Sequence, residues 1–508
     1  MRVFTTTMLV LLLSGIASVH AVELFTDTLE VGNDTVVFAA QIPDGYDSMF
    51  PPAIVVAWHS WGNTQAEIFA NTAFDDEANL RGWILASHAG PNGTHWNNHD
   101  AQRHCAIMLE WLSEHYPFAL DSIYMIGGSM GGAAGQIWHE NNCGTHDFLI
   151  AATAGGSQII DTYLRANQYV AEGDTNRSMR ELFGGLPGTS DSIDYEYHRA
   201  SAIYLADTME SLHFNSLTLP VWSRWGASDL EIYAYGYPAR VYQRYRFGHT
   251  SLTAFAPSGI ANHGILVMHP DEVFDWLAQF SVNRYPDTLS LAADENDDYY
   301  YTSVALGTTP YTFGRCSVRK KDTERRLDIS LIRNIQEIAV RFEFPWSRYD
   351  TLWGEWTNED AAIIEPSISL EDIPRVLEVY RSDGHAVQFT SLGNETSITL
   401  AESGEFIVVF EPTYADEPNH RIANTFRLTK SYPNPFNAST TLQIESPRPV
   451  SKEIVIYDIQ GRVVKTINTQ LTPGVNQLRF DGSRLSSGIY FAAFEGELMT
   501  PLKLMLLK

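Results

Sequence analysis

Ile123-Tyr124-Met125-Ile126-Gly127-Gly128-Ser129-Met130-Gly131-Gly132-Ala133-Ala134 is the stretch on which the fold turns. An apolar run of β-forming residues stops at a serine with glycines on both sides, and small residues with helical potential follow at once. The pattern predicts a strand, a sharp elbow and a helix. A side chain two residues to either side would obstruct the backbone of a serine at the tip of such an elbow, which accounts for Gly127 and Gly131. The hydroxyl then stands above the carboxyl end of a strand and beside a helix N-terminus, whose N–H groups can stabilise a developing oxyanion. The competing reading of G-x-S-x-G is a Gly-rich turn without chemistry. The strand before it and the helix after it favour a nucleophile.

Working outward, residues 35–40 read as a strand, and residues 53–58 form a continuous apolar run of the kind a strand covered on both faces shows. That run ends in His59-Ser60-Trp61-Gly62. Residues 82–87 give another short buried strand, and 102–116 place Cys105, Met108, Leu109, Leu112 and Tyr116 on one helical face. After the elbow, strands recur at 148–153, 219–224 and 251–257, and a helix over 270–280 closes the unit. Strands alternating with helices predict an α/β fold with a mostly parallel central sheet.

In such a sheet a site assembles at the carboxyl ends of the strands. A serine hydroxyl needs an imidazole to take its proton, and the imidazole needs a carboxylate to fix its tautomer. Trp225-Gly226-Ala227-Ser228-Asp229 follows one strand and Ile260-Ala261-Asn262-His263-Gly264 follows the last. Ser129, Asp229 and His263 therefore occur in the order nucleophile, acid, base, each just beyond a strand. Glu231 is the alternative acid, though the Gly-x-x-Asp turn favours Asp229. His249 and His269 are alternative bases; the first precedes the last strand and the second starts the final helix. His88, His95, His99 and His104 read as a polar, histidine-rich loop, with a metal site the competing reading, because their spacing matches no helical H-x-x-x-H pair. Trp61 and Trp96 follow central strands and are the candidate substrate contacts, since aromatic walls suit sugar rings or aryl esters. Residues 157–201 are too long for a simple crossover and read as a lid or side wall.

Residues 35–280 resemble an α/β-hydrolase, most of all secreted esterases of the feruloyl esterase and polyhydroxybutyrate depolymerase type. The resemblance rests on Ile42-Pro43-Asp44-Gly45-Tyr46, His59-Ser60-Trp61-Gly62, residues 127–132, Phe183-Gly184-Gly185-Leu186-Pro187, Gly226-Ala227-Ser228-Asp229 and Asn262-His263-Gly264. It implies an ester hydrolase with Ser129, Asp229 and His263 as triad, and an oxyanion hole from the backbone N–H groups of Met130 and Trp61. The family has His-Gly where this chain has His59-Ser60. The resemblance implies no cofactor. A prolyl oligopeptidase-like serine peptidase and a non-catalytic surface-binding protein are the other readings, and no N-terminal propeller supports the first.

Beyond Val282 the pattern becomes all-β: short alternating runs such as 338–344 and 406–410, separated by polar turns, predict a sandwich with its own core. Its acidic run Asp294, Glu295, Asp297, Asp298 reads as a solvated linker face, with calcium binding as the alternative. The last segment opens with Ser431-Tyr432-Pro433-Asn434-Pro435-Phe436-Asn437 and carries Gly461-Arg462 and Ser487-Gly488-Ile489-Tyr490 at its turns. From about Leu428 it resembles the C-terminal sorting domain of the type IX secretion system, which implies export and a secretion machinery as partner.

Arg2, the apolar run 8–13 and the small residues ending Val19-His20-Ala21 read as a secretory signal peptide, too short to span a bilayer. The expected organisation is a signal peptide at 1–21, a hydrolase domain at 22–284, a β-sandwich-like domain at 285–425 and the sorting domain at 426–508. The formal net charge of −27 argues against nucleic acid or anionic membranes as partners. Three cysteines, Cys105, Cys143 and Cys316, are too few for a disulfide scaffold. Whether Cys105 and Cys143 pair is open at this point.

Overall fold

The computed structural model describes residues 23–508 except 143–147, 175–176, 230–251, 255–262, 322–325, 343–350, 361, 363–366, 372, 374, 383–384, 393–394, 400–402, 411–426, 433, 435, 447–449, 460–461, 472–473, 495–500 and 508. The expected signal peptide, Cys143, Glu231 and His249 lie outside the described residues. The described strands of the N-terminal part are β1 (Glu23–Val31), β2 (Asp34–Ile42), β3 (Ile54–Trp58), β4 (Ile84–His88), β5 (Ile123–Gly128), β6 (Ala152–Gly156), β7 (Val221–Arg224) and β8 (Leu252–Ala254). They form one sheet in the order β1-β2-β4-β3-β5-β6-β7-β8. From β4 to β8 every pairing is parallel, while β1 and β2 are antiparallel additions at one edge.

Parallel pairing requires crossovers, and these put helices on both faces. Hence β3 is buried throughout: Val56 and Trp58 face one core with Met108, Leu112 and Met125, and Val55 and Ala57 face the other with Phe74, Ile126 and Phe274. The helix His99–His115 covers the first face, and Phe74–Arg81 with Pro270–Leu277 the second. Strand β1 is not anticipated by the sequence reading. It pairs along its whole length with β2 and turns Asp27 and Leu29 inward. The segment 157–201 is a small helical cap, in which Thr162–Ala171, Arg177–Leu182 and Asp191–Arg199 bring Ala166, Met179, Phe183 and Tyr197 together with Trp96, Met130 and Ile159.

Between Thr288 and Phe410 the described strands make two six-stranded sheets around one core that includes Leu327, Ile329, Leu352, Trp356, Ile338, Val340, Ile368 and Phe406. This β-region does not stand apart from the hydrolase fold. The core takes in Leu149, and Asn215 inserts its side chain like a strand partner, donating to Ala292 O (2.7 Å) and accepting from Ala292 N–H (2.8 Å). Leu212 packs with Ala292 and Phe313, and the Arg315 guanidinium lies over the Phe214 ring. Asp294 corrects the solvated-face expectation. Its carboxylate is fully buried, taking 2.7 Å and 2.9 Å hydrogen bonds from Arg199 Nε and the Tyr299 hydroxyl. Residues Pro51–Pro412 accordingly belong to one compact unit.

The second unit includes residues Thr413–Lys508. Its three-stranded and four-stranded sheets enclose Phe436, Leu442, Ile444, Ile454, Ile456, Phe480, Phe494, Leu504 and Leu506. Among the described residues no helix is long and apolar enough to cross a membrane.

Candidate active site

Strand β5 lies in the middle of the sheet, paired with β3 on one side and β6 on the other. The chain leaves it through Ser129, whose φ of 53° is strained for a non-glycine residue and turns the hydroxyl out of the strand line. A one-turn 3-10 helix, Ser129–Ala133, follows, and the α-helix Ala134–Asn142 continues from it. So tight an elbow leaves no room for side chains. A Cβ on Gly127 would lie 2.1 Å from Gly131 O, and one on Gly131 would lie 2.4 Å from Trp58 O. The glycines are required by close approach, as the spacing predicts.

Asp229, beyond β7, and His263, beyond β8, meet the serine at this point. The His263 Nε2 is 2.7 Å from Ser129 Oγ, and its Nδ1 is 2.7 Å from Asp229 Oδ2. A carboxylate only accepts, so Nδ1 carries the proton and Nε2 presents its lone pair to the serine hydroxyl. Asp229 is held in its turn by a bond from its N–H to Gly226 O (3.1 Å), and its side chain is 2% exposed against 36% for His263. The loop bearing His263 packs straight on the elbow, since a Cβ on Gly128 would lie 2.1 Å from Ile265 N. His269 is the residue before the helix Pro270–Leu277 and is not part of this constellation.

Ser129 and His263 open into a cleft of about 340 Å³, also lined by Ser60, Trp61, Glu67, Trp96, Ile159, Tyr169, Gly264, Ile265 and Leu266. Trp61, half exposed, stands at its rim with Leu266, whereas Trp96 is buried and meets Tyr169 edge to face at 6.3 Å. Met130 is the second residue of its helical turn, where an N–H has no partner within the helix. Its carbonyl accepts from Asn97 Nδ2 (2.7 Å). In the loop after β3, the N–H groups of Ser60, Gly62 and Asn63 are committed to Glu67 Oε2 (2.6 Å), Gly93 O (2.7 Å) and Ser60 O (3.1 Å). Among the described hydrogen bonds the Trp61 N–H has no such commitment.

Glu67, Asn97 and Ile159 escape the sequence reading, whereas Tyr169 belongs to the segment 157–201 expected to form a lid or side wall. None of the first three belongs to a recognisable motif, and only the tertiary fold places them against the elbow. Of the four histidines expected in a polar loop, His95 lies in one, but His88 ends β4, and His99 and His104 lie in the helix His99–His115. Burial pushes His88 and His95 well below the usual histidine range, and each accepts a backbone N–H at Nδ1, from Gly90 and Asn97, so both rings are neutral. Among the described residues no three His, Cys, Asp or Glu side chains are grouped to hold a metal ion. Cys105 and Cys316 are buried free thiols.

The cap behind the cleft contains a titratable weak point. His198 is buried against Tyr204, with ring centroids 4.0 Å apart, its Nε2 has no hydrogen-bond partner among the described residues, and burial pulls its pKa down to about 4. A histidine lowered in the folded state contributes stability above its unfolded pKa of about 6.5 and loses it as pH falls toward 4. His198→Phe is expected to remove that loss. Between pH 7 and pH 5 the variant should gain about 2 kcal/mol relative to wild type in denaturant unfolding, and parallel pH profiles would refute this.

Residues 430–505 match the family described as the secretion system C-terminal sorting domain. The chain therefore ends in a sorting domain that engages a secretion machinery, and the protein is exported to a secreted or cell-surface location. No curated protein matches the chain. Among solved structures it is similar to an S-formylglutathione hydrolase from Agrobacterium tumefaciens, at 12% identity over 55% of this chain and 99% of that one, with a TM-score of 0.40. A ferulic acid esterase aligns at 12% identity over 51% and 96% of the two chains, with a TM-score of 0.35. An acetyl xylan esterase from Paenibacillus sp. R4 aligns at 8% identity over 55% and 88%, with a TM-score of 0.37. The sheet order and the strand–elbow–helix at Ser129 define the N-terminal part as an α/β-hydrolase fold.

Proposed function

We propose that this chain is an exported serine ester hydrolase acting through Ser129, His263 and Asp229. The observation that carries the reading is the continuous pair of 2.7 Å hydrogen bonds from serine to histidine to aspartate at a strained elbow. Ser129 Oγ attacks the ester carbonyl while His263 Nε2 takes its proton. The imidazolium, paired with Asp229, returns that proton to the leaving alcohol, and the acyl group stays on Ser129. Water then adds to the acyl carbonyl, giving a proton to His263, and the acid leaves as Ser129 is reprotonated. The N–H groups of Met130 and Trp61 hold the oxyanion; both lack a partner among the described hydrogen bonds, and donors so aimed are worth about 10²–10³ in rate each.

The substrate is an ester of a small or aryl acyl group, such as a feruloyl or acetyl ester on a polysaccharide, or a polyester. A 340 Å³ cleft with Trp61, Trp96 and Tyr169 on its walls supports this, being near the lower limit for small-molecule sites. Type IX secretion machinery is the expected partner of residues 426–508. The test is turnover of p-nitrophenyl esters of graded acyl length, methyl ferulate, acetylated xylan, a polyester film and a chromogenic peptide. Ester turnover without peptide turnover is expected. Peptide turnover alone would make the protein a serine peptidase, and no turnover with Ser129 unlabelled by a fluorophosphonate would make it a binding protein.

A further inference from the structure

We infer that Glu67 is a positioning residue for the oxyanion peptide, a role that rests on the ester hydrolase reading and adds to it a group outside the triad. The Trp61 N–H belongs to the peptide unit whose carbonyl is Ser60 O. In a trans peptide these two groups point in opposite directions, so whatever holds Ser60 O aims the Trp61 N–H. Ser60 O has two neighbours, His59 Nδ1 at 2.9 Å and the donating Asn63 N–H at 3.1 Å. That arrangement persists only while the turn Ser60-Trp61-Gly62-Asn63 keeps its shape.

Glu67 clamps both ends of the turn. Its Oε2 accepts the Ser60 N–H at 2.6 Å and its Oε1 accepts the Asn63 side-chain amide at 2.8 Å. Both are hydrogen bonds to an ionised acceptor, the stronger kind, and one carboxylate spanning two donors fixes a distance as well as a direction. The same turn is tied to the elbow strand by Ser60 Oγ, which donates to Gly128 O at 3.3 Å. Glu67 is half-buried in the cleft wall and begins the short helix Glu67–Asn71, so the clamp is anchored outside the turn it holds. Where the resembled family has glycine at position 60, this chain has a serine held at both its backbone N–H and its hydroxyl.

Since charge on the ester oxygen develops in the transition state, a misaimed Trp61 N–H lowers kcat and leaves KM nearly unchanged. Three variants separate the contributions. Glu67→Ala removes the clamp, and its kcat is expected to fall about 10- to 100-fold, a part of the loss of one oxyanion donor. Glu67→Asp keeps the charge but is one methylene short of spanning both donors, and it is expected to follow the alanine variant. Glu67→Gln keeps an acceptor for Ser60, while Asn63 can turn its amide to face the new one, so it should stay within about 3-fold of wild type. The second-order rate of Ser129 labelling by a fluorophosphonate should fall in step with kcat, because the phosphoryl oxygen occupies the same hole. Melting temperatures report whether each variant is folded, and the aspartate variant carries the test if the alanine variant is not.

Wild-type kcat in folded Glu67→Ala or Glu67→Asp, a KM effect with kcat preserved, or a glutamine variant as slow as alanine would each overturn the role. A wild-type protein that neither labels at Ser129 nor hydrolyses any ester would overturn the hydrolase reading itself, and this one with it.

Discussion

Ser129→Ala is expected to lower kcat for a soluble ester by roughly 10⁴- to 10⁶-fold while the protein stays folded. Among the described hydrogen bonds Ser129 Oγ has His263 as its partner, so the substitution removes one hydrogen bond at the cleft wall and creates no cavity. Alanine and serine pay a similar cost at a φ of 53°, and the glycine contacts that shape the elbow are untouched. Binding and the oxyanion donors survive, which sets the residual rate. Fluorophosphonate labelling should vanish with turnover. Near wild-type turnover would end the serine-hydrolase reading.

Asp229→Asn is expected to cost about 10⁴-fold in kcat, for a different reason. The carboxylate, 2% exposed, only accepts a hydrogen bond and so keeps the proton on His263 Nδ1. An amide can donate there instead, and the proton then sits on Nε2, where the imidazole no longer accepts from Ser129. The fold should hold, because the Asp229 N–H to Gly226 O bond that shapes the turn belongs to the backbone. Glu231→Gln and His269→Gln serve as controls with mild expected effects. A large loss in Glu231→Gln with a small one in Asp229→Asn would move the acid to Glu231.

The elbow was legible because its chemistry is local: strand, glycines, serine and helix adjoin within twelve residues, and steric need dictates the spacing. Asp229 and His263 were legible as residues just past strands, since a parallel sheet collects all such positions along one edge. Glu67 was not, because nothing near it in sequence marks it out; its meaning lies in a turn that the loop after β3 makes only against β5. Asp294 misled for the same reason. Beside Glu295, Asp297 and Asp298 it reads as solvated, whereas in the fold it is buried with Tyr299 and with Arg199, 95 positions earlier. The β-region was read correctly as alternating strands, but alternation within strands cannot disclose that one end of a sheet packs on a neighbouring fold.

That packing has a practical consequence for anyone wishing to transplant the hydrolase. A gene fusion that joins a passenger just after Val282 would strip Leu212 and Phe214 of their cover, leave Asn215 without Ala292, and strand Arg199 beside the space of its lost aspartate. Each apolar side chain so uncovered gives up about 1.5–3 kcal/mol of burial, a large fraction of what holds an average domain together. A splice at 412/413 falls where the two compact units divide and spares all of these contacts.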